Sequence, residues 1–386
     1  MKIPFHKPFV PNSFSTIFPK SIKDGWLTTG PEVKNFENKL SQYNNSKYAI
    51  AVNSCTAALH LALAAKNFGI GDKFIAPTYT FVASIEVGEY LGMEPVLIDC
   101  DENYNINIDQ IEQKLKKDPK IKAVIPVHFA GKAVDMERIF LLANEYNLFV
   151  LEDAAHALET KSNYGKVGNT NHAAAFSFYA NKNITTGGEG GAICTNNKPL
   201  SDKIRKLSLH GMSKDGWSRF KPGAKWYYDV SMLGYKYNMT DISASLGLWQ
   251  LEQVNNWLEK RKSLVRSYVE GLKDIDGIVC PNINNTLDIQ AHHLFIIRLK
   301  SSRWKIDRDN LIDLLNKNGI GTSVHYKPVH MHSYYAEKYN YKPSDFPNAE
   351  NYFNKVITLP LYPLLKTEEI DYIIQFLNEM WIQHKL

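Results

Sequence analysis

Between Lys47 and Asn196 the chain alternates short apolar runs with helix-like stretches, and this alternation constrains its fold more than any other feature. The runs are Tyr48-Ala-Ile-Ala-Val52, Lys73-Phe-Ile-Ala-Pro77, Pro95-Val-Leu-Ile-Asp99, Ala123-Val-Ile-Pro-Val127, Leu148-Phe-Val-Leu-Glu152, Ala174-Ala-Phe-Ser-Phe178 and Gly191-Ala-Ile-Cys-Thr195. Runs of this length are buried strands, and their alternation with helices predicts an α/β fold: a mostly parallel sheet covered by helices on both faces. Ligands of such sheets gather at the carboxyl ends of the strands. Asn53, Thr78, Asp153 and Lys182 all follow an apolar run, so four segments distant in sequence are expected on one rim.

From Asp241 to about Leu272 the pattern changes to a helical period, with Leu246, Leu248, Leu251, Val254, Trp257 and Leu258 on an apolar face. This helix is expected to lead into a smaller α+β domain with a strand at His293–Leu299, a helix near Arg308–Asn318 and a last helix from about Lys366. The expected division is a large domain over 1–250 and a small one over 251–386. The stretch from Gly211 to Tyr228, rich in Lys, Gly, Trp and Tyr without a clear period, reads as a long functional loop.

With 386 residues, 44% of them hydrophobic, the chain can bury a sizeable core. Its 45 basic and 40 acidic residues give a net charge of +5 with no basic run, which argues against nucleic acid as a partner. Cys55, Cys100, Cys194 and Cys280 lie far apart without metal-ligand spacing, so no metal site is expected. No apolar stretch is long enough for an export signal or a membrane span, and the expected location is the cytoplasm.

Chemistry concentrates in Ser177-Phe-Tyr-Ala-Asn-Lys-Asn-Ile-Thr-Thr-Gly-Gly-Glu-Gly-Gly191, where a strand delivers one amine, Lys182, onto a glycine-rich turn. Burial there lowers the pKa of an amine and makes it a nucleophile, although most lysines are solvated surface charges. Upstream, Asp153 ends a strand as the carboxylate that keeps a pyridinium nitrogen protonated when pyridoxal phosphate acts as an electron sink; its plainer role is a helix cap. His156, three positions on, either meets the cofactor's phenolic oxygen or is a satisfied core histidine. After the first strand, Asn53-Ser-Cys-Thr-Ala-Ala58 opens a helix whose amides near Thr56 and Ala57 suit a phosphate, unless Ser54 simply caps it. No glycine fingerprint of a dinucleotide site and no Walker pattern follows that strand. Phe81 is a candidate to lie on a pyridine ring, against core packing as the alternative. Asn238 alone reads as the lead-in to the long helix.

Taken together, Gly25-Trp-Leu-Thr-Thr-Gly-Pro31, Asn53–Ala58, Pro126-Val-His-Phe-Ala-Gly131, Glu152-Asp-Ala-Ala-His156, Ser177–Gly191, Leu209-His-Gly-Met212, Gly234-Tyr-Lys-Tyr-Asn-Met-Thr-Asp241, Gly319-Ile-Gly-Thr-Ser-Val-His-Tyr-Lys-Pro328 and Leu359-Pro-Leu-Tyr-Pro363 closely resemble the DegT/DnrJ/EryC1/StrS sugar aminotransferases. The resemblance covers nearly the whole chain. It implies the aspartate-aminotransferase-like fold type I, a mixed seven-stranded sheet between helices, with pyridoxal 5'-phosphate as cofactor. By position it implies that Lys182 joins the cofactor aldehyde, Asp153 pairs with the ring nitrogen and Phe81 stacks on the ring. The amides of Thr56 and Ala57 and the Ser177 hydroxyl would hold the phosphate.

Asn238 is implied to reach the neighbouring subunit's phosphate, making the active unit a homodimer with shared sites. Family members with histidine at the lysine position are dehydratases, so Lys182 speaks for amino transfer. The implied substrates are L-glutamate and a 4-keto-6-deoxy sugar on a nucleoside diphosphate, the product an amino sugar of a bacterial surface glycan such as lipopolysaccharide O-antigen. Thr29, Lys214, Arg219, His325 and Lys327 are the expected substrate contacts. Asn238, where many relatives carry arginine, fits the subgroup that acts at carbon 4, whereas an extra glycine before Glu189 fits another length class. A carbon-3 aminotransferase and a non-catalytic pyridoxal-phosphate-binding regulator are the alternatives.

Overall fold

The computed structural model describes residues 1–13, 17–212, 228–283 and 288–386. Its centre is a seven-stranded sheet in the order β1-β9-β8-β5-β4-β2-β3. The strands are β1 (Tyr48–Val52), β2 (Lys73–Pro77), β3 (Glu94–Ile98), β4 (Ile121–Val124), β5 (Phe149–Asp153), β8 (Ala173–Ser177) and β9 (Gly191–Thr195). A two-stranded hairpin, β6 (Lys161–Ser162) and β7 (Gly165–Lys166), lies between β5 and β8. β9 alone runs against its neighbours, pairing antiparallel with both β1 and β8. The other pairings, β2 with β3 and β4, β4 with β5 and β5 with β8, are parallel. Six carboxyl ends and the amino end of β9 therefore share one rim.

Four predicted runs stop earlier or later than their hydrophobicity suggests. β4 ends at Val124 because Pro126 has no N–H for the ladder, and Val127 makes only an isolated bridge to Asp153. β5 extends one residue further, so Asp153 is its last member, and β8 stops at Ser177. The predicted run through Asp99 ends at Ile98, and the Asp99 carboxylate instead accepts the amides of Asn348 and Ala349, both at 2.9 Å, capping the helix Pro347–Phe353.

The helix Cys55–Ala65 is apolar almost all round and is buried against β8, β9 and β5, with Ala58, Leu61, Ala62 and Leu63 fully covered. On the opposite face, Phe36 and Leu40 of the helix Pro31–Asn44 join Ala51, Phe176 and Phe178 in a second apolar layer. That helix is capped from 208 to 211 residues away: Asp241 accepts the amides of Gly30 (2.8 Å), Val33 (3.0 Å) and Glu32 (3.3 Å). Thus the N-terminal motif and the Asn238–Asp241 motif meet.

The helix Asp241–Leu272 spans 32 residues, roughly 48 Å at 1.5 Å per residue. Leu251, Val254 and Trp257 in its first half belong to the layer beside the main sheet. Val265, Tyr268 and Leu272 belong to a separate core around a second sheet, β10 (Ile278–Val279), β11 (Phe295–Leu299) and β12 (Val356–Leu359). Tyr268 stacks on Phe295 with centroids 4.5 Å apart, and its hydroxyl donates to Pro360 O at 2.9 Å. The helices Arg308–Lys317 and Thr367–His384 cover this sheet.

Candidate active site

A cavity of about 440 Å³ opens at the shared rim, between the carboxyl ends of β5 and β8, the start of the helix Cys55–Ala65 and the segment at His325. Asp153 projects into it from the last position of β5. Its Oδ2 accepts the Ser84 hydroxyl at 2.7 Å and its Oδ1 accepts the Ala155 amide at 3.1 Å. Lys182 lines the same cavity. Burial lowers its amine to about 8 from the usual lysine range, while Cys55 and Asp153 pull the other way. An amine at about 8 is neutral in roughly a tenth of molecules at pH 7, hundreds of times more than an ordinary lysine.

Across the cavity, Ser54 caps the helix Cys55–Ala65, its Oγ accepting the Ala57 amide at 3.0 Å. The amides of Cys55 and Thr56, in the first turn at the helix dipole's positive end, find no acceptor among the described residues. Ser177 and Gly190 line the same cavity. Gly191 lets β9 approach this turn: a Cβ there would sit 2.4 Å from the Ser54 carbonyl carbon and 2.6 Å from Cys55 N. The donor set therefore fits a phosphorylated, aldehyde-bearing ring: one cavity holds free helix-start amides for an anion, a carboxylate and a nucleophilic amine.

Phe81 is 59% exposed and lines the cavity, so it is not a core aromatic. Its ring lies 6.0 Å from that of Tyr326. His156 is buried, with Nδ1 accepting the Ala130 amide at 3.2 Å and Nε2 3.1 Å from the Tyr326 hydroxyl. His325 is held by Thr358 Oγ1 at 2.9 Å and stacks on Phe5 at 5.6 Å; burial, with Lys182 adding, lowers its ring to about 4.

Of the residues singled out from sequence, Thr56, Phe81, Asp153, His156, Ser177, Lys182 and His325 meet in this one cavity. Ala57 stands just behind, its amide already committed to Ser54. Thr29 and Asn238 form a separate pair: Asn238 Nδ2 donates to Thr29 Oγ1 at 2.8 Å, and that hydroxyl donates to Met239 O at 2.6 Å. Lys327 is exposed and outside the cavity lining. Thr78, expected on the rim, is buried against His330 at 2.7 Å. Lys214 and Arg219 lie outside the described residues, as does most of the expected Gly211–Tyr228 loop. Sequence reasoning missed Ser84, Tyr179, Asn181 and Tyr326. Tyr326 directly follows a predicted site histidine, which was the available signal.

This rim, where an amine and a carboxylate share one cavity with the free amides of a helix start, is that of a pyridoxal-phosphate sugar aminotransferase. The sequence model of the DegT/DnrJ/EryC1/StrS aminotransferase family matches residues 12–378, and the chain belongs to that family. It is 40% identical over 379 residues to the spore coat polysaccharide biosynthesis protein SpsC of Bacillus subtilis, covering 98% of this chain and 97% of that one. The pyridoxal-phosphate form of the putative sugar aminotransferase Spr1654 from Streptococcus pneumoniae superposes with a TM-score of 0.89 at 32% identity, covering 99% of each chain. Helicobacter pylori PseC, an aminotransferase of pseudoaminic acid biosynthesis, superposes with a TM-score of 0.90 at 26% identity, over 99% of this chain and 100% of that one. The cofactor is pyridoxal 5'-phosphate. Among the described residues no helix is long and apolar enough to cross a membrane.

Proposed function

We propose that this sugar aminotransferase moves an amino group from L-glutamate to the 4-keto position of a 6-deoxy sugar carried by a nucleoside diphosphate, and that it does so in the cytoplasm. The observation that carries the reading is the buried Lys182 amine, lowered to about 8 and sharing its cavity with Asp153. When bound, pyridoxal phosphate supplies the aldehyde that carries the amino group and the ring that takes up electrons.

Within this reading Lys182 covalently retains the cofactor between turnovers and, once released, takes the proton from the donor's α-carbon, for which its neutral fraction suits it. Asp153, oriented by Ser84 and the Ala155 amide, holds a positive charge on the ring nitrogen. The Cys55 and Thr56 amides and Ser177 hold the phosphate, and Phe81 covers the ring. His325, Thr29 and Lys327 contact the sugar nucleotide, as do Lys214 and Arg219, which lie outside the described residues.

The active unit is a homodimer in which Asn238 reaches the partner's phosphate. Support comes from Leu233 and Val230, 90% and 55% exposed shortly before Asn238 on the same connection, an apolar surface suited to cover by a second copy. The product is an amino sugar for a surface glycan, as the names of SpsC and PseC suggest by analogy. Incubation with 15N-glutamate and a nucleoside-diphosphate 4-keto-6-deoxyhexose tests the reading by NMR. The label is expected on carbon 4 of the sugar; label on carbon 3, or none, defeats it.

A further inference from the structure

The wall of the cavity fixes where His156 carries its proton, and from that the direction of a neighbouring hydroxyl follows. The Ala130 amide approaches His156 Nδ1 at 3.2 Å. A backbone N–H can only donate, so Nδ1 bears no proton. Burial, with Lys182 and His325 adding, holds the ring well below the ordinary histidine range, so it is neutral at physiological pH. A neutral ring with a bare Nδ1 is protonated at Nε2, which lies 3.1 Å from the Tyr326 hydroxyl. His156 is thus the donor in that contact. The phenol's own proton has no acceptor among the described residues, and Tyr326 lines the cavity with Lys182, Asp153 and Phe81. Burial, with Asp153 adding, raises its ionisation, so it stays a donor.

The imidazole is backed by a second polar chain. Arg261, buried in the long helix, pairs with buried Glu159, whose other oxygen accepts Asn183 Nδ2 at 2.5 Å. With its amide nitrogen so directed, Asn183 presents Oδ1 to His293 Nδ1 at 2.8 Å, and the His293 ring lies 4.4 Å from that of His156. One residue after Lys182, this chain holds the wall on which His156 rests.

We propose that Tyr326 is a catalytic hydrogen-bond donor, its hydroxyl turned into the cavity by His156 so that it meets an anionic or carbonyl oxygen beside Lys182. His156 is then a positioning residue. The inference rests on the amino-transfer reading of this cavity. The oxygen belongs either to the cofactor ring or to the substrate carbonyl, and the test separates the two.

In cofactor-free protein, 15N NMR of the histidine rings should show His156 as the Nε2–H form throughout pH 6 to 9. An Nδ1–H or imidazolium form at pH 7 would overturn the proposal without any variant. In Tyr326→Phe, loss of a hydrogen bond to a charged oxygen should cost roughly 10- to 100-fold. If the acceptor is the cofactor, this appears as weaker pyridoxal-phosphate affinity and a shifted absorbance of the bound cofactor. If it is the substrate, affinity and spectrum hold while kcat falls with little change in KM. Unchanged affinity, spectrum and kcat together would sink the idea. A wild-type protein that binds pyridoxal phosphate but takes no amino group from glutamate would defeat the functional reading, and the tautomer and affinity measurements would still decide this one.

Discussion

Ser84 donates to Asp153 across 69 residues of sequence, at 2.7 Å, and Thr80 in turn lies 3.1 Å from the Ser84 hydroxyl. Both hydroxyl residues are buried, so one oxygen of the carboxylate at the end of β5 is held by protein hydroxyls. The orientation of Asp153 is therefore built into the helix Ala83–Glu89, which β2 and its turn place under the rim.

Ser84→Ala removes this donor without adding volume. Since a hydrogen bond to a charged group contributes about 1.5–3 kcal/mol, kcat should fall roughly tenfold or more. Cofactor affinity, set mostly at the phosphate end, should change less. Steady-state kinetics beside a cofactor titration check the split; equal losses in both would mean that Ser84 acts on folding of the site as a whole.

Lys182 offers a pH test. Its amine in the folded chain titrates at about 8, below the ordinary lysine value expected when unfolded. Between those two values the unfolded chain binds more protons, so this residue makes stability rise with pH there, and it disfavours the fold at neutral pH. Lys182→Met should accordingly stabilise the cofactor-free protein at pH 7 and lose that advantage by pH 10 to 11, as read by denaturant unfolding. The rate at which an amine reagent labels Lys182 should inflect near 8 in the cofactor-free protein, and lower still in Asp153→Asn, because Asp153 raises the value.

How much of this was legible in sequence follows from which contacts are local. The strands, the long helix and the Lys182–Asp153 pair were readable because an apolar run ending in one polar residue is a statement about neighbouring positions. Tyr326 and His156 are 170 residues apart, and only the fold shows them in contact. Which strand is reversed was not legible from hydrophobicity, which carries no sense of direction; the resemblance implied only that the sheet is mixed, and the structure shows the reversed strand to be β9. Thr78 followed a strand as expected, yet turned to His330, because the residue after a strand can face either side of the rim.

Gly191 is a steric requirement rather than a flexible joint. Its missing Cβ makes room for the backbone of Ser54 and Cys55, which would otherwise lie 2.4 to 2.6 Å away. Gly191→Ala must push β9 off the helix start, at about 1–3 kcal/mol for overpacking. The Cys55 and Thr56 amides move with it. Affinity for pyridoxal phosphate should drop at least tenfold, by equilibrium dialysis, while affinity for unphosphorylated pyridoxal changes little; equal losses for both would place the damage away from the phosphate.

Arg261 and Glu159 form a buried ion pair, and Arg261 Nε also donates to Ala291 O at 3.0 Å. Removing one partner strands the other charge without water, at about 3–5 kcal/mol, whereas removing both can be nearly neutral. Arg261→Met should therefore be strongly destabilising, and the double variant with Glu159→Gln should recover most of the loss, because a neutral amide can still accept from Asn183 Nδ2. Denaturant unfolding of the cofactor-free single and double variants gives the coupling energy directly. Purely additive losses would show that the pair acts through packing, and that the chain from the long helix to Asn183 is not held by charge.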